Sequence, residues 1–218
     1  TSDYCNDLSV LQIFIDNSSG TLNMGMDDNG DGVIEPLELG IQYWLAGRLI
    51  SLICNDYGLS GEIPEEIGNL TNLTYLNLAN NYLVGEIPEE IGNLTNLTTL
   101  VLSLNQLTGS IPSEIGNLGN LSNLTLSSNE LTGEIPLEIG NLMNLTKLKL
   151  HTNNLTGEIP SELWNLVNLH SFYIYSNELT GEIPPEIGNL VNLGDILLSN
   201  NNLTGSIPSE IGNLENLG

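Results

Sequence analysis

The sequence predicts an α/β solenoid, with right-handed parallel coils of 24 residues stacked in register behind a helical N-terminal cap. Two observations predict it. The segment GEIPEEIGNLTNL from Gly61 returns from Gly85, and close variants begin at Gly109, Gly133, Gly157, Gly181 and Gly205, with no insertion or deletion. Residues 1–48 do not follow the repeat. Asp7 stands where it can cap a helix carrying Leu8, Leu11, Phe14 and Ile15, and a second apolar stretch runs Ile41, Trp44, Leu45, Leu49. The expected organisation is a cap over 1–48 and a solenoid over 49–218.

Each coil is legible element by element. One unit reads Leu97, Leu100, Leu102, Asn105, Leu107, Gly109, Ile111, Pro112. The Leu-x-Leu alternation has period two, so it is a short strand with one face inward. Ile-Pro then ends pairing, because proline lacks the donor a central strand needs, and E-I-G-N-L makes a turn and a short helical return. Asn81, Asn105, Asn129, Asn153, Asn177 and Asn201 fall in one column, where an inward amide satisfies backbone groups of its own turn and of the next coil.

Charge excludes some functions. Three Lys and Arg stand against 27 Asp and Glu, a formal net charge of −24, and nucleic acid and anionic membrane both need basic patches. Apolar residues make up 40%, enough for a core, so the acidity is not that of a disordered chain. No apolar run is long enough to insert into a bilayer. The chain starts at Thr1 with no signal peptide, as a mature or trimmed fragment would. It stops at Gly218 just after Leu217 opens what would be another strand. That abrupt end reads as a cut from a longer protein, the alternative being an open end that stacks on another molecule.

The L-x-x-L-x-L-x-x-N-x-L-x-G-x-I-P unit, and above all L-T-G-E-I-P, resembles the plant-type extracellular leucine-rich repeat family of receptor-kinase ectodomains and polygalacturonase inhibitors, over Leu49 to Gly218. Cys5, Trp44 and Gly47-Arg48-Leu49 resemble a divergent form of that family's N-terminal cap. The resemblance implies a non-catalytic, extracellular or cell-surface recognition module whose concave sheet binds a protein, peptide or glycan.

Cys5 and Cys54 are the only cysteines. A disulfide between them would close a loop of about 50 residues and stabilise the chain by roughly 4 kcal/mol; the alternative is two buried free thiols. Residues 27–38, DDNGDGVIEPLE, fit D-x-[DN]-x-[DN]-G-x5-E at every required position and resemble the calcium loop of EF-hand and dockerin proteins. Asp27, Asn29, Asp31, the Val33 carbonyl, Glu35 through water and Glu38 would be the ligands, Gly32 would allow the sharp turn, and the ion would be structural. The alternative is an acidic turn without an ion.

On the strands, the x positions face outward. They are small and polar on most coils, but Lys147, Lys149 and His151 on one strand adjoin His170, Tyr173 and Tyr175 on the next. Stacking in register sets Lys149 beside Tyr173 and His151 beside Tyr175, about 4.8 Å apart. A cationic, aromatic patch on so acidic a molecule would focus an anionic or sugar-like ligand; the plain alternative is tolerated surface residues. His151 and His170 lie five positions apart along the strand direction, roughly 17 Å, with no nucleophile beside them, so they are no catalytic pair.

Other columns are less telling. Glu66, Glu90, Glu114, Glu138, Glu162, Glu186 and Glu210 form one acidic file and Glu62, Glu86, Glu134, Glu158 and Glu182 another, read as a solvated face or as weak cation sites that bridge molecules. Thr108, Thr132, Thr156, Thr180 and Thr204 form a file of the kind an ice-binding repeat protein presents, but a single file beside glutamates matches an ice surface poorly. Ten positions meet N-x-[ST]; Asn17-Ser18-Ser19 is the one independent of the repeats. The alternative to recognition is a calcium-dependent structural or adhesive surface protein that self-associates.

Overall fold

The structure is a computed structural model that describes residues 2–18 and 20–218; Ser19 of the Asn17-Ser18-Ser19 sequon lies outside them. Its core is an eight-stranded sheet. The strand Ile41–Leu45 pairs antiparallel with Arg48–Ile53, and six parallel strands follow: Tyr75–Asn77, Thr99–Val101, Asn123–Thr125, Lys147–Lys149, Ser171–Tyr173 and Asp195–Leu197. Successive strands pair with a register offset of 24 residues, as the repeat period demands. The inward residues Leu76, Leu100, Leu124, Leu148 and Phe172 are fully buried and form one continuous core with the Ile and Leu columns of the turns.

The return side of each coil is a five-residue 3-10 turn, such as Ser113–Asn117. Pro112 precedes it with extended φ and ψ and accepts from the Ile115 N–H at 3.1 Å, and Leu118 N–H then closes on Ile115 at 3.2 Å. Short parallel ladders on the flank join Ser60–Glu62, Tyr82–Gly85 and Gln106–Leu107, and then Thr132–Glu134 and Asn154–Thr156. The Thr file and one glutamate file lie on this flank. Gly157 shows why glycine recurs there: its φ is +75°, and a Cβ would stand 2.7 Å from the Glu134 Cγ of the preceding coil. The other file packs likewise, with Glu138 Cβ 2.6 Å from where a Cβ on Gly116 would be. Both acidic files thus lay their carbon stems over glycines of the neighbouring coil.

The asparagine column does what its position implies. Asn153 Nδ2 donates to Leu126 O of the previous coil (3.1 Å) and to Leu150 O (3.0 Å), while its Oδ1 accepts from Leu131 N–H (3.1 Å). Asn81, Asn105, Asn129, Asn177 and Asn201 repeat the pattern. Among the described residues no buried side-chain nitrogen or oxygen lacks a partner.

The cap departs from expectation in three ways. It is not purely helical: the helix Ser2–Asn17 is joined by the hairpin of Ile41–Leu45 and Arg48–Ile53, which extends the solenoid sheet across the expected 48/49 boundary. Asp7 does not cap the helix but lies within it, wholly buried, accepting from Arg48 Nε and Leu49 N–H. The Cys5–Cys54 disulfide is absent, and both thiols are free. The helix buries Asp7, Val10, Leu11, Phe14 and Ile15; Cys5, two residues before Asp7, is about 200° around the axis from it and exposed. Cys54 is buried just past the strand Arg48–Ile53, with its Sγ 3.7 Å from Leu39 O, and burial pushes its thiol pKa up. Among the described residues no helix is long and apolar enough to cross a membrane.

Candidate recognition surface

Strand register defines two rows across the concave sheet. One runs Ile41, Ile53, Asn77, Val101, Thr125, Lys149, Tyr173, Leu197; the other runs Tyr43, Ser51, Tyr75, Thr99, Asn123, Lys147, Ser171, Asp195. Of the sequence-predicted patch, Lys147, Lys149 and Tyr173 lie on these rows, and His151 and Tyr175 follow two residues beyond Lys149 and Tyr173. Lys149 Nζ stands 4.6 Å from the Tyr173 ring centroid, a cation–π contact. His151 stacks on Tyr175, centroids 4.4 Å apart and planes 7° apart, and lies 6.3 Å from Tyr173 at a tilt. Partial burial, and then the Lys149 charge, lower the His151 pKa from its ordinary value and favour the neutral ring. His170 does not join this stack; it sits at the start of the next strand with Nδ1 2.7 Å from Asn168 O.

Charge isolates the patch. Arg48, the third basic side chain, is held by Asp7 at 3.0 Å, the one ion pair among the described residues. Lys147 and Lys149 are therefore the cations left to meet a ligand, and they share one strand of a molecule of net charge −24. The groove of about 1050 Å³ on the flank is of opposite character, walled by Glu62, Glu65, Glu86, Glu89, Glu90 and Glu114.

The cap loop keeps its oxygens on its own backbone. Asp27 accepts from Gly30 and Gly32 N–H (2.7 and 2.8 Å), Asn29 from Asp31 N–H (2.9 Å), Asp31 from Val33 N–H (2.9 Å) and Glu38 from Glu35 N–H (3.0 Å). The donors are hard oxygens of the kind calcium takes. Among the described residues, however, no three His, Cys, Asp or Glu side chains converge as a metal-holding group.

Comparison with known proteins agrees with this architecture. Residues 54–181 match the leucine-rich repeat region family and residues 192–214 a further leucine-rich repeat. The chain belongs to the leucine-rich repeat family. It is similar to the plant peptide hormone receptor RGFR1, solved with RGF2, at 43% identity over 78% of this chain and 27% of that one, TM-score 0.76. The ectodomain of the Arabidopsis receptor kinase HAESA, solved with an IDA peptide hormone, is similar at 42% identity over 78% and 28%, TM-score 0.76. A plant ice-binding protein is similar at 28% identity over 97% of this chain and 84% of that one, TM-score 0.72. The chain thus spans little more than a quarter of the two receptors' length. No curated protein matches it.

The apolar cap end of the concave rows, formed by Ile41, Tyr43 and Ile53, is not among the sequence-predicted site residues. Its signal in the sequence is the period-two alternation of Ile41, Tyr43 and Leu45, which the apolar stretch Ile41, Trp44, Leu45, Leu49 cuts across.

Proposed function

We propose that this chain is an extracellular, non-catalytic recognition module that binds a peptide or protein segment across its concave sheet, at Lys147, Lys149, His151, Tyr173 and Tyr175. The observation that carries the reading is the confinement of both unpaired lysines to one strand, with Lys149 against an aromatic ring, on an otherwise acidic molecule. Such an arrangement draws an anionic segment to one place and repels it elsewhere. Similarity to receptors solved with peptide hormones supports the same class of ligand.

The test is capture of ligands from a secreted peptide fraction and a glycan panel. A variant with Lys147, Lys149, Tyr173 and Tyr175 all changed to Ser runs beside the wild type. Peptides held by the wild type and lost by the variant support the reading. Equal capture by both, or capture of glycans alone, overturns it.

A second reading attaches to the flank. Thr108, Thr132, Thr156, Thr180 and Thr204 form a regular file, with Thr132, Thr180 and Thr204 exposed, and the ice-binding neighbour aligns over most of its own length. Inhibition of ice recrystallisation by the wild type, lost in Thr132→Lys/Thr156→Lys, would establish it; no inhibition by the wild type removes it.

The cap loop is proposed to bind one structural calcium ion through Asp27, Asn29, Asp31, the Val33 carbonyl, Glu35 and Glu38. The spacing and the hard-oxygen donors support this. A heat of binding and a raised melting temperature in millimolar calcium are expected; neither appearing refutes it.

A further inference from the structure

We propose that the concave sheet carries a second subsite at its cap end, where Ile41, Tyr43, Ile53 and Tyr75 take an aliphatic or aromatic side chain of the same peptide whose acidic residue lies over Lys147 and Lys149. This rests on the concave-sheet reading above and specifies its ligand.

Ile41 and Tyr43 are about half exposed, at 48% and 58%, on the outermost strand of the sheet. Strand pairing puts Ile41 beside Ile53, and Tyr43 one strand beyond Ser51 and two from Tyr75. None of the positions on the first three strands of the two rows carries a charge, in a chain with 27 acidic residues. Water-exposed apolar side chains gathered this way mark a contact surface.

What covers it follows from continuity with the lysine patch. Both ends lie on the same two rows of one sheet, so a segment drawn to the lysines and running along the rows passes over the cap end. The residues between, among them Asn77, Thr99 and Thr125, are small or uncharged and leave the path open. From the Ile53 strand to the Lys149 strand is four strand intervals, roughly 19 Å, and from the Ile41 strand five, roughly 24 Å. An extended peptide covers that in about six or seven residues. A second copy of the chain is a poorer occupant, because four side chains fall well short of the roughly 800 Å² per partner that a stable interface buries.

The experiment is panning of a displayed dodecapeptide library on the full chain, followed by affinity measurement with the selected peptides made synthetically. The selected peptides are expected to carry an acidic residue and a large apolar residue six to eight positions apart, in one constant order. Affinity should fall about tenfold in Ile41→Lys/Tyr43→Ser, and separately in Lys147→Ser/Lys149→Ser. Tyr43→Ser alone gives a milder second variant, and melting curves confirm that each variant folds. Acidic peptides without the apolar residue, or undiminished binding to both cap-end variants, overturn the subsite while leaving the lysine patch standing. Undiminished binding to the lysine variant overturns the concave-sheet reading itself, and no enrichment overturns both. A dimer in sedimentation that Ile41→Lys/Tyr43→Ser dissolves would make the occupant a second copy and overturn the peptide proposal.

Discussion

Arg48 Nε lies 3.0 Å from Asp7 Oδ2, and the Asp7 side chain is wholly buried within the cap helix. The same carboxylate accepts from Leu49 N–H at 2.8 Å, and Arg48 reaches on to Asn69 O at 3.1 Å. One buried charge therefore ties the helix to the strand Arg48–Ile53 and, through Arg48, to Glu65–Asn69, the first 3-10 turn of the repeats. Removing only the cation leaves a carboxylate in a dry site. Arg48→Met is expected to destabilise the chain by about 3–5 kcal/mol in urea unfolding. Asp7→Leu, which removes the charge itself, should cost less than Arg48→Met; the reverse order would contradict the assignment.

The asparagine ladder makes a second prediction. Asn153→Leu deletes three hydrogen bonds and strands the Leu131 N–H in the core, at about 1–3 kcal/mol for the orphaned donor, while Leu126 O keeps Asn129 Nδ2 and Leu150 O keeps Asn177 Nδ2. A loss of about 1–3 kcal/mol is expected, and Asn129→Leu should behave alike. A loss under 1 kcal/mol would mean the ladder is not what joins the coils.

Thiol chemistry separates the two cysteines. A thiol reagent such as Ellman's should count one reactive group per native chain, at exposed Cys5, and two after unfolding without reductant. Burial raises the Cys54 pKa, so that thiol stays protonated and inert in the fold. No reactive thiol in either state would restore the disulfide.

His151 links the patch to pH. Its folded pKa is lowered by burial and by Lys149, so as pH falls below 6.5 the unfolded chain takes up the proton first. The stabilising contribution is present in full above 6.5, declines below it, and levels off once the native ring titrates too. In a nuclear magnetic resonance titration the His151 midpoint should fall below 6.5, and His151→Gln should flatten that part of the stability profile. A midpoint above 6.5 contradicts the partial burial of the ring beside Lys149.

The solenoid was legible in the sequence because seven copies of one pattern fix register, and register fixes which side chains meet. Lys149 beside Tyr173 and His151 beside Tyr175 followed from counting by 24. The cap has no repeat to average over. The disulfide expectation rests on Cys5 and Cys54 being the only cysteines, whereas the helical wheel through Asp7, Val10, Leu11 and Phe14 turns Cys5 outward. Asp7 read as a cap because an acid near a helix start usually is one; its burial depends on Arg48, forty-one residues on. The partner strand of the hairpin is harder to see, because the register shift leaves Ile50 unpaired between Leu49 and Ser51 and breaks the alternation of Arg48–Ile53.

The central claim is that ligand sits on the concave sheet, over the strands Lys147–Lys149 and Ser171–Tyr173. The most direct test is chemical-shift mapping of the isotope-labelled chain titrated with a library-selected acidic peptide. The account predicts shifts at Lys147, Lys149, Tyr173 and Tyr175, extending toward Tyr75 and Ile53, with the flank file at Thr132 and Thr156 unmoved. Shifts confined to that flank, or to the groove at Glu86 and Glu114, would contradict it.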